Sequence, residues 1–347
     1  MTSVEIARRV HLVGTIPSET TQQALRLVTE SVGDRLTDWL PDGETGVRRN
    51  WIGRLVENLE NHPDLELAKE GDWSDYESTP GFRVRKGHRF DTVDLDYFEH
   101  FEASWPEFQS VRTELGRPDL AFQIGIPGPI DVAFAAFGFN PLLGFRHARP
   151  FEAATVAEVE KINQIAGDEV VYQLEVPIEV EVTTRIPPPF RSPGVRWLAR
   201  RVLRVVEESP ASTRWGFHLC VGDMNNESFS RLKDARPAVQ LANALVSQFP
   251  SGRKLEFVHM PLAHGSIPPP TDPSFYAPLR DLRLPDDTRF IAGFAHERQS
   301  LQDQQRVRGI IEEVVGHPID VAASCGLGRR DIDAAIANLE QSRKLVD

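Results

Sequence analysis

The sequence predicts a single (β/α)8 barrel, and three observations carry that prediction. Eight short apolar runs recur along the 347 residues, amphipathic helical patterns separate them, and no linker divides the chain in two. A chain of this length can close one large core around such a barrel.

The first run, residues 10–14, is followed past Pro17 and Ser18 by apolar positions at Ala24, Leu25, Leu27, Val28 and Val32, the spacing of a helix. The second, 36–40, closes in Pro41-Asp42-Gly43-Glu44-Thr45-Gly46, and Trp51, Ile52, Leu55, Val56 and Leu59 mark the next helix. Residues 61–118 then break the alternation with charged and aromatic residues and a helix near 105–115. A stretch this long is expected to be an insertion after strand 2, either a lid over the barrel mouth or a purely structural excursion. Alternation resumes with strands over 120–126, 169–174, 213–217, 254–259, 289–292 and 319–323, and a helix over 331–345 closes the chain. A proline-rich loop at 187–189 precedes a helix over 195–206, whose Arg196, Arg200, Arg201 and Arg204 are expected to form a solvated face.

Composition narrows the partners. Hydrophobic content of 40% and charged content of 26% are those of an ordinary globular protein. A formal charge of -12 argues against nucleic acid and against an anionic membrane, because a phosphate-binding surface needs a basic excess, and leaves small molecules. Two cysteines make no disulfide framework, and the N-terminus carries no run long enough for a signal or membrane span, so a cytoplasmic location is expected.

Both cysteines stand just past a predicted strand and beside a glycine turn, Cys220 before Val221-Gly222-Asp223 and Cys325 before Gly326-Leu327-Gly328. In extended chain residues i and i+2 point the same way, so His218 and Cys220 can meet one ion. His259 ends the adjacent sixth strand and joins them as a candidate ligand, with Glu256 as the alternative in a shifted register. Thiolate and imidazole donors suit a catalytic Zn2+ ion, and the competing interpretation is two buried free thiols and a satisfied histidine. Thr15, Glu44 and Glu175 follow the first, second and fourth strands at the same end. His296 and Glu297, after the seventh, are either an acid and base or a helix-capping pair. Thiolate-ligated zinc is a weak Lewis acid for hydrolysis but lowers the pKa of an incoming thiol, so the site points to alkyl transfer onto sulfur.

These motifs resemble the C-terminal barrel of cobalamin-independent methionine synthase and its shorter relatives, within the uroporphyrinogen decarboxylase/methionine synthase barrel superfamily. Gly14-Thr15-Ile16-Pro17 is similar to that family's Ile-Gly-Ser-Phe-Pro, and Gly43-Glu44 to its substrate-binding Gly-Glu. Gln173-Leu174-Glu175-Val176-Pro177 is similar to its Gln-x-Asp-Glu-Pro, His218-x-Cys220 to its first zinc ligands, and Ser324-Cys325-Gly326-Leu327 to its Asp-Cys-Gly-Leu. The resemblance covers nearly the whole chain. It implies Zn2+ as cofactor, an amino-acid head group held by Glu44 and Glu175, and a methyl or alkyl donor meeting a small-molecule thiol. Three departures stand out. Histidine replaces the family's glutamate ligand at 259, the folate-stacking tryptophan is missing from 129–134, and the aspartate and histidine after strand seven are replaced around 293–298. A folate donor is therefore not expected. Two other functions compete: a metal-free lyase of the decarboxylase branch, and a non-catalytic small-molecule-binding barrel.

Overall fold

The computed structural model describes residues 7–229 and 231–347. In chain order the strands are β1 (Trp39–Pro41), β2 (Leu65–Lys69), β3 (Gly81–Val84), β4 (Ala121–Pro127), β5 (Val170–Glu175), β6 (Arg214–His218), β7 (Lys254–Pro261), β8 (Arg289–Ala295) and β9 (Asp320–Ala323). The helices are α1 (Thr21–Val32), α2 (Trp51–Asn58), α3 (Tyr97–Glu114), α4 (Pro129–Ala136), α5 (Pro141–Ala166), α6 (Pro177–Arg185), α7 (Pro188–Glu208), α8 (Arg236–Ser247), α9 (Pro273–Tyr276), α10 (Leu301–Val315) and α11 (Ile332–Val346). Side chains one turn back cap several of them: Thr20 accepts the Gln23 amide at α1, Ser300 that of Asp303 at α10, and Asp331 that of Ala334 at α11.

Seven strands form one curled parallel sheet in the order β1-β4-β5-β6-β7-β8-β9, a mixed α/β arrangement of the TIM-barrel type. The strand expected over 10–14 is reduced to Val10, which bridges Leu36 on one side and Val321 on the other and so joins the two edges of the sheet. The reason lies inside the ring. Gln123 Nε2 donates to the carbonyls of Leu12 and Val13, and Gln173 Nε2 also donates to Val13, so side-chain amides take acceptors that a ladder would use.

The interior is layered. At the bottom Trp39, Ala121, Val171, Phe257, Ile291 and Ala322 form an apolar plug, with Trp39 stacked on Phe257 at 4.8 Å. Because strand side chains alternate, residues two further along the same strands form a polar layer above it. There Gln173 donates to Glu175 Oε1 at 3.0 Å, and His11 takes the Trp39 indole N–H at 2.8 Å while its other ring nitrogen lies 3.2 Å from Gln173 Oε1. A larger apolar cluster fills the space between the sheet and the surrounding helices. Among the described residues no helix is long and apolar enough to cross a membrane.

The segment after α2 is smaller than its composition suggested. Phe101, Trp105 and Phe108 of α3 pack against Phe122 of β4, so this helix belongs to the outer ring. What departs from the alternation is the stretch between α2 and α3, which holds the antiparallel β2–β3 hairpin. The hairpin sits on its own apolar cluster with α4 and α5. Farther on, Pro187 is the N-cap of α7 and Pro188 and Pro189 enter its first turn, where a missing N–H costs nothing. The arginine face of that helix is only partly solvated, since Arg201 reaches the buried Glu152 at 2.8 Å.

Candidate metal and substrate site

The sheet register builds the site. Pro127, Glu175, His218 and His259 are successive partners across β4, β5, β6 and β7, so their side chains emerge at one height at the C-terminal ends of the strands. Cys220 stands two residues beyond His218, and Cys325 two beyond the end of β9. His218 Nε2 lies 3.5 Å from Cys325 Sγ, Cys220 Sγ lies 3.7 Å from Cys325 Sγ, and the three donor atoms fall within 4.8 Å of one another.

These distances test the donor set for an ion. Zinc–sulfur bonds of about 2.3 Å and a zinc–nitrogen bond of about 2.05 Å at the tetrahedral angle separate two sulfurs by about 3.75 Å, and sulfur from nitrogen by about 3.55 Å. The two edges that meet at Cys325, 3.7 and 3.5 Å, match. The chemistry fits as well, because two thiols and an imidazole are soft and borderline donors. Contact with Cys220 and burial push the Cys325 thiol well above its usual range, so a cation entering here must displace protons.

His259 stands beside this group rather than within it. Its Nδ1 is 2.6 Å from His218 Nδ1 and its Nε2 is 3.0 Å from the Ala323 carbonyl, so both ring nitrogens are committed. Burial holds both imidazoles neutral, His218 well below its ordinary pKa and His259 lowered to about 4. Glu256, the other candidate, is bound to Arg214 at 2.7 Å near the start of β7, at the opposite end of the barrel.

A cavity adjoins the cysteines and is lined by Thr15, Glu44 and Glu175 among others. Glu44 sits in left-handed backbone (φ 44°) with its amide held by Asp42 Oδ1 at 2.8 Å. The two glutamates meet over Gly125, where a Cβ would come within 2.7 Å of Glu44 Oε1 and 3.2 Å of Glu175 Oε1. Burial raises both carboxyls, that of Glu175 to about 8, and repulsion from Glu175 raises Glu44 further. The nearby Arg48 guanidinium is committed to Asp42 at 2.6 Å. Thr15 packs on the turn after Cys325, its carbonyl accepting the Leu327 amide at 2.7 Å.

His296 and Glu297 are elsewhere and do not line this cavity. Glu297 Oε2 binds Arg330 at 3.0 Å and Asn338 at 3.1 Å, while His296 Nε2 faces the Gly265 carbonyl and its Nδ1 accepts the Arg298 amide. The pair ties the β8 loop to α11, which fills the polar atoms that acid–base work would need free. His264 is buried as well and accepts the Leu232 amide at 3.1 Å.

Asp223 and Asp131 line the cavity and were not expected there from the sequence. Asp223 was visible only as a turn residue. Asp131 emerges from the start of α4 with its Oδ1 on the Ile178 amide at 2.7 Å, and burial and the neighbouring Glu179 raise its carboxyl. Tyr76 arrives from the segment between α2 and α3 and stacks on Phe229 at 3.9 Å. Arg49 and Arg329 line the wall too, held by the Gly328 carbonyl and by Asn50.

No model of a known protein family matches the sequence, and no curated protein does. Solved structures do match in fold. A B12-independent methionine synthase from Shewanella sp. W3-18-1 superposes with a TM-score of 0.60 at 12% identity over 98% of each chain. A putative vitamin-B12-independent methionine synthase from Listeria monocytogenes gives 0.54 at 14% identity, over 94% of this chain and 85% of the other. A methyltransferase from Methanosarcina mazei gives 0.52 at 12%, over 97% and 93%. The chain thus shares its fold with methionine synthase-like proteins along nearly its full length.

Proposed function

We propose that this chain is a zinc-dependent transferase that places a methyl or other alkyl group on the sulfur of a small-molecule thiol. One observation carries the proposal: the donor atoms of His218, Cys220 and Cys325 converge within 4.8 Å of one another, the two edges at Cys325 have the lengths of a zinc tetrahedron, and both sulfurs line a cavity that also presents two carboxyls. Three protein donors is the count of a catalytic zinc site, which keeps a position for substrate. Bound zinc would lower the pKa of a thiol beside it and so supply a nucleophile at neutral pH. The fold shared with methionine synthase-like proteins and a methyltransferase supports the same chemistry.

The chain's own groups do the rest. Glu44 and Glu175 together retain a proton and would exchange it for an ammonium head group on the acceptor, anchoring the molecule with its sulfur toward the cysteines. Ile52, Phe139, Phe229 and Tyr76 wall the cavity and exclude water from the nucleophile. The whole chain acts as one (β/α)8 barrel domain, with part of the 61–118 segment as its lid. A reducing, cytoplasmic setting would keep both cysteines free.

The test pairs metal analysis with turnover. Protein purified without chelators is expected to carry about one zinc per chain. It should also S-methylate homocysteine or another small thiol from methyl iodide, a donor that needs no further recognition. A chain that takes up no zinc even on reconstitution sinks the transferase and favours the metal-free lyase.

A further inference from the structure

We infer that His259 is a positioning residue which fixes the tautomer of His218 and ties it to the strand that carries Cys325, without itself touching the ion. The inference rests on the proposed metal site and follows from counting donors and acceptors. Ala323 offers His259 only a carbonyl oxygen, so His259 Nε2 must carry the N–H across that 3.0 Å contact. A neutral imidazole has one N–H, which leaves a lone pair on His259 Nδ1. At 2.6 Å that lone pair requires the proton to sit on His218 Nδ1. His218 Nε2 is then bare, and it is the nitrogen that faces Cys325 Sγ at 3.5 Å. The chain of bonds turns the correct atom toward the cysteines.

The path is built into the sheet. His259 lies on β7 and Ala323 on β9, so the imidazole must reach across β8. It does so over Gly293, where a Cβ would come within 2.6 Å of His259 Nε2 and 3.0 Å of the Ala323 carbonyl. Only glycine leaves the gap open. The relay thereby couples the β6 ligand to backbone two residues before Cys325, and a histidine at 259 serves from behind.

The test uses the full-length chain in four forms: wild type, His259→Ala, His259→Asn and Gly293→Ala. Imidazole ¹⁵N spectra of the metal-free wild type should show His218 protonated at Nδ1 and His259 at Nε2. Chelator competition should show zinc binding weakened about 10- to 100-fold in His259→Ala and in Gly293→Ala, which alters neither ring. The thiolate-to-metal band of the cobalt-substituted protein should persist in both variants, and His259→Asn, whose amide oxygen can accept the His218 proton, should recover most of the affinity. His218 protonated at Nε2, wild-type affinity in both His259→Ala and Gly293→Ala, or two imidazoles in the zinc X-ray absorption spectrum would each overturn the assignment. Wild type that shows the expected tautomers but binds neither metal would support the relay and sink the transferase.

Discussion

The two sides of the barrel mouth gather electron pairs in different ways. On the β6–β9 side two sulfurs and an imidazole meet, and that imidazole contacts His259, which in turn contacts the Ala323 carbonyl. On the β1–β5 side, acids meet: Glu44 and Glu175, brought together over a glycine while Arg48 is occupied with Asp42. The first arrangement is soft and must shed protons to bind a cation. The second is hard and keeps a proton until a cation displaces it. The contrast is the one the proposed function requires, under which a metal would sit on one side and an ammonium head group on the other.

The largest expected effect breaks the first side. Replacing Cys220 or Cys325 by serine removes a soft donor and should lower zinc affinity by orders of magnitude while the fold survives, because a site at the mouth of a large barrel is not its main source of stability. Buried thiols without a metal role would instead lose roughly 1–3 kcal/mol of stability on gaining a hydroxyl, with metal content unmoved. Zinc stoichiometry and melting temperature measured on the same samples separate these outcomes.

A middle-sized effect probes the second side through pH. Glu175 titrates at about 8 in the folded chain against an ordinary value of 4.5, so the stability tied to its protonated form is complete below 4.5 and is lost as pH rises through 8. Above about pH 6.5, where histidines are neutral in the unfolded chain too and the buried His218 and His259 add no opposing slope, stability, read from the melting temperature, should therefore fall toward pH 8, with a limiting slope of about 1.4 kcal/mol per unit from this group. Glu175→Gln should flatten the decline and leave zinc content unchanged. Some slope should remain, because burial raises Asp131 and Glu179 in the same direction. An identical pH profile in the variant would show that the two carboxyls do not share a proton.

Much of this was legible in the chain. Alternating apolar runs gave the sheet, and an apolar run followed by a glycine turn marked both cysteines, because such turns end strands where barrels place their sites. Residue alternation also put His218 and Cys220 on one side. It could not say which ring nitrogen faces which partner, so His259, one strand over and at the same height, read as a ligand candidate, whereas its two nitrogens face His218 and the Ala323 carbonyl. The first strand was overcalled because Gln123 and Gln173, distant in sequence, take its carbonyls. Helix α3 was undercalled at its start, where Asp96 is left-handed and makes no side-chain cap, and Pro106 interrupts the pattern. His296 and Glu297 looked reactive until Arg330 and Asn338, from the last stretch of the chain, came to meet them.

The smallest expected effect concerns what covers both sides. Tyr76 comes from the segment between α2 and α3 and latches onto the loop after β6: its hydroxyl donates to the Glu227 carbonyl at 2.9 Å and accepts the Met224 amide at 3.0 Å. Asn225 adds a bond to the Ser74 carbonyl at 2.9 Å, so one half-buried and one exposed residue join this segment to the loop that follows Cys220. Tyr76→Phe keeps the ring on Phe229 and removes only the hydroxyl, which should cost about 1 kcal/mol of local closure, or roughly a fivefold rise in the open population. The fold does not depend on that latch, so limited proteolysis within 71–80 should quicken about fivefold while the melting temperature moves by less than about 2 °C. Saturating thiol should slow cleavage in the wild type, since a closed flap shelters both sides of the mouth at once. Cleavage unchanged by ligand in the wild type, or unchanged by Tyr76→Phe, would make the segment a fixed wall rather than a lid.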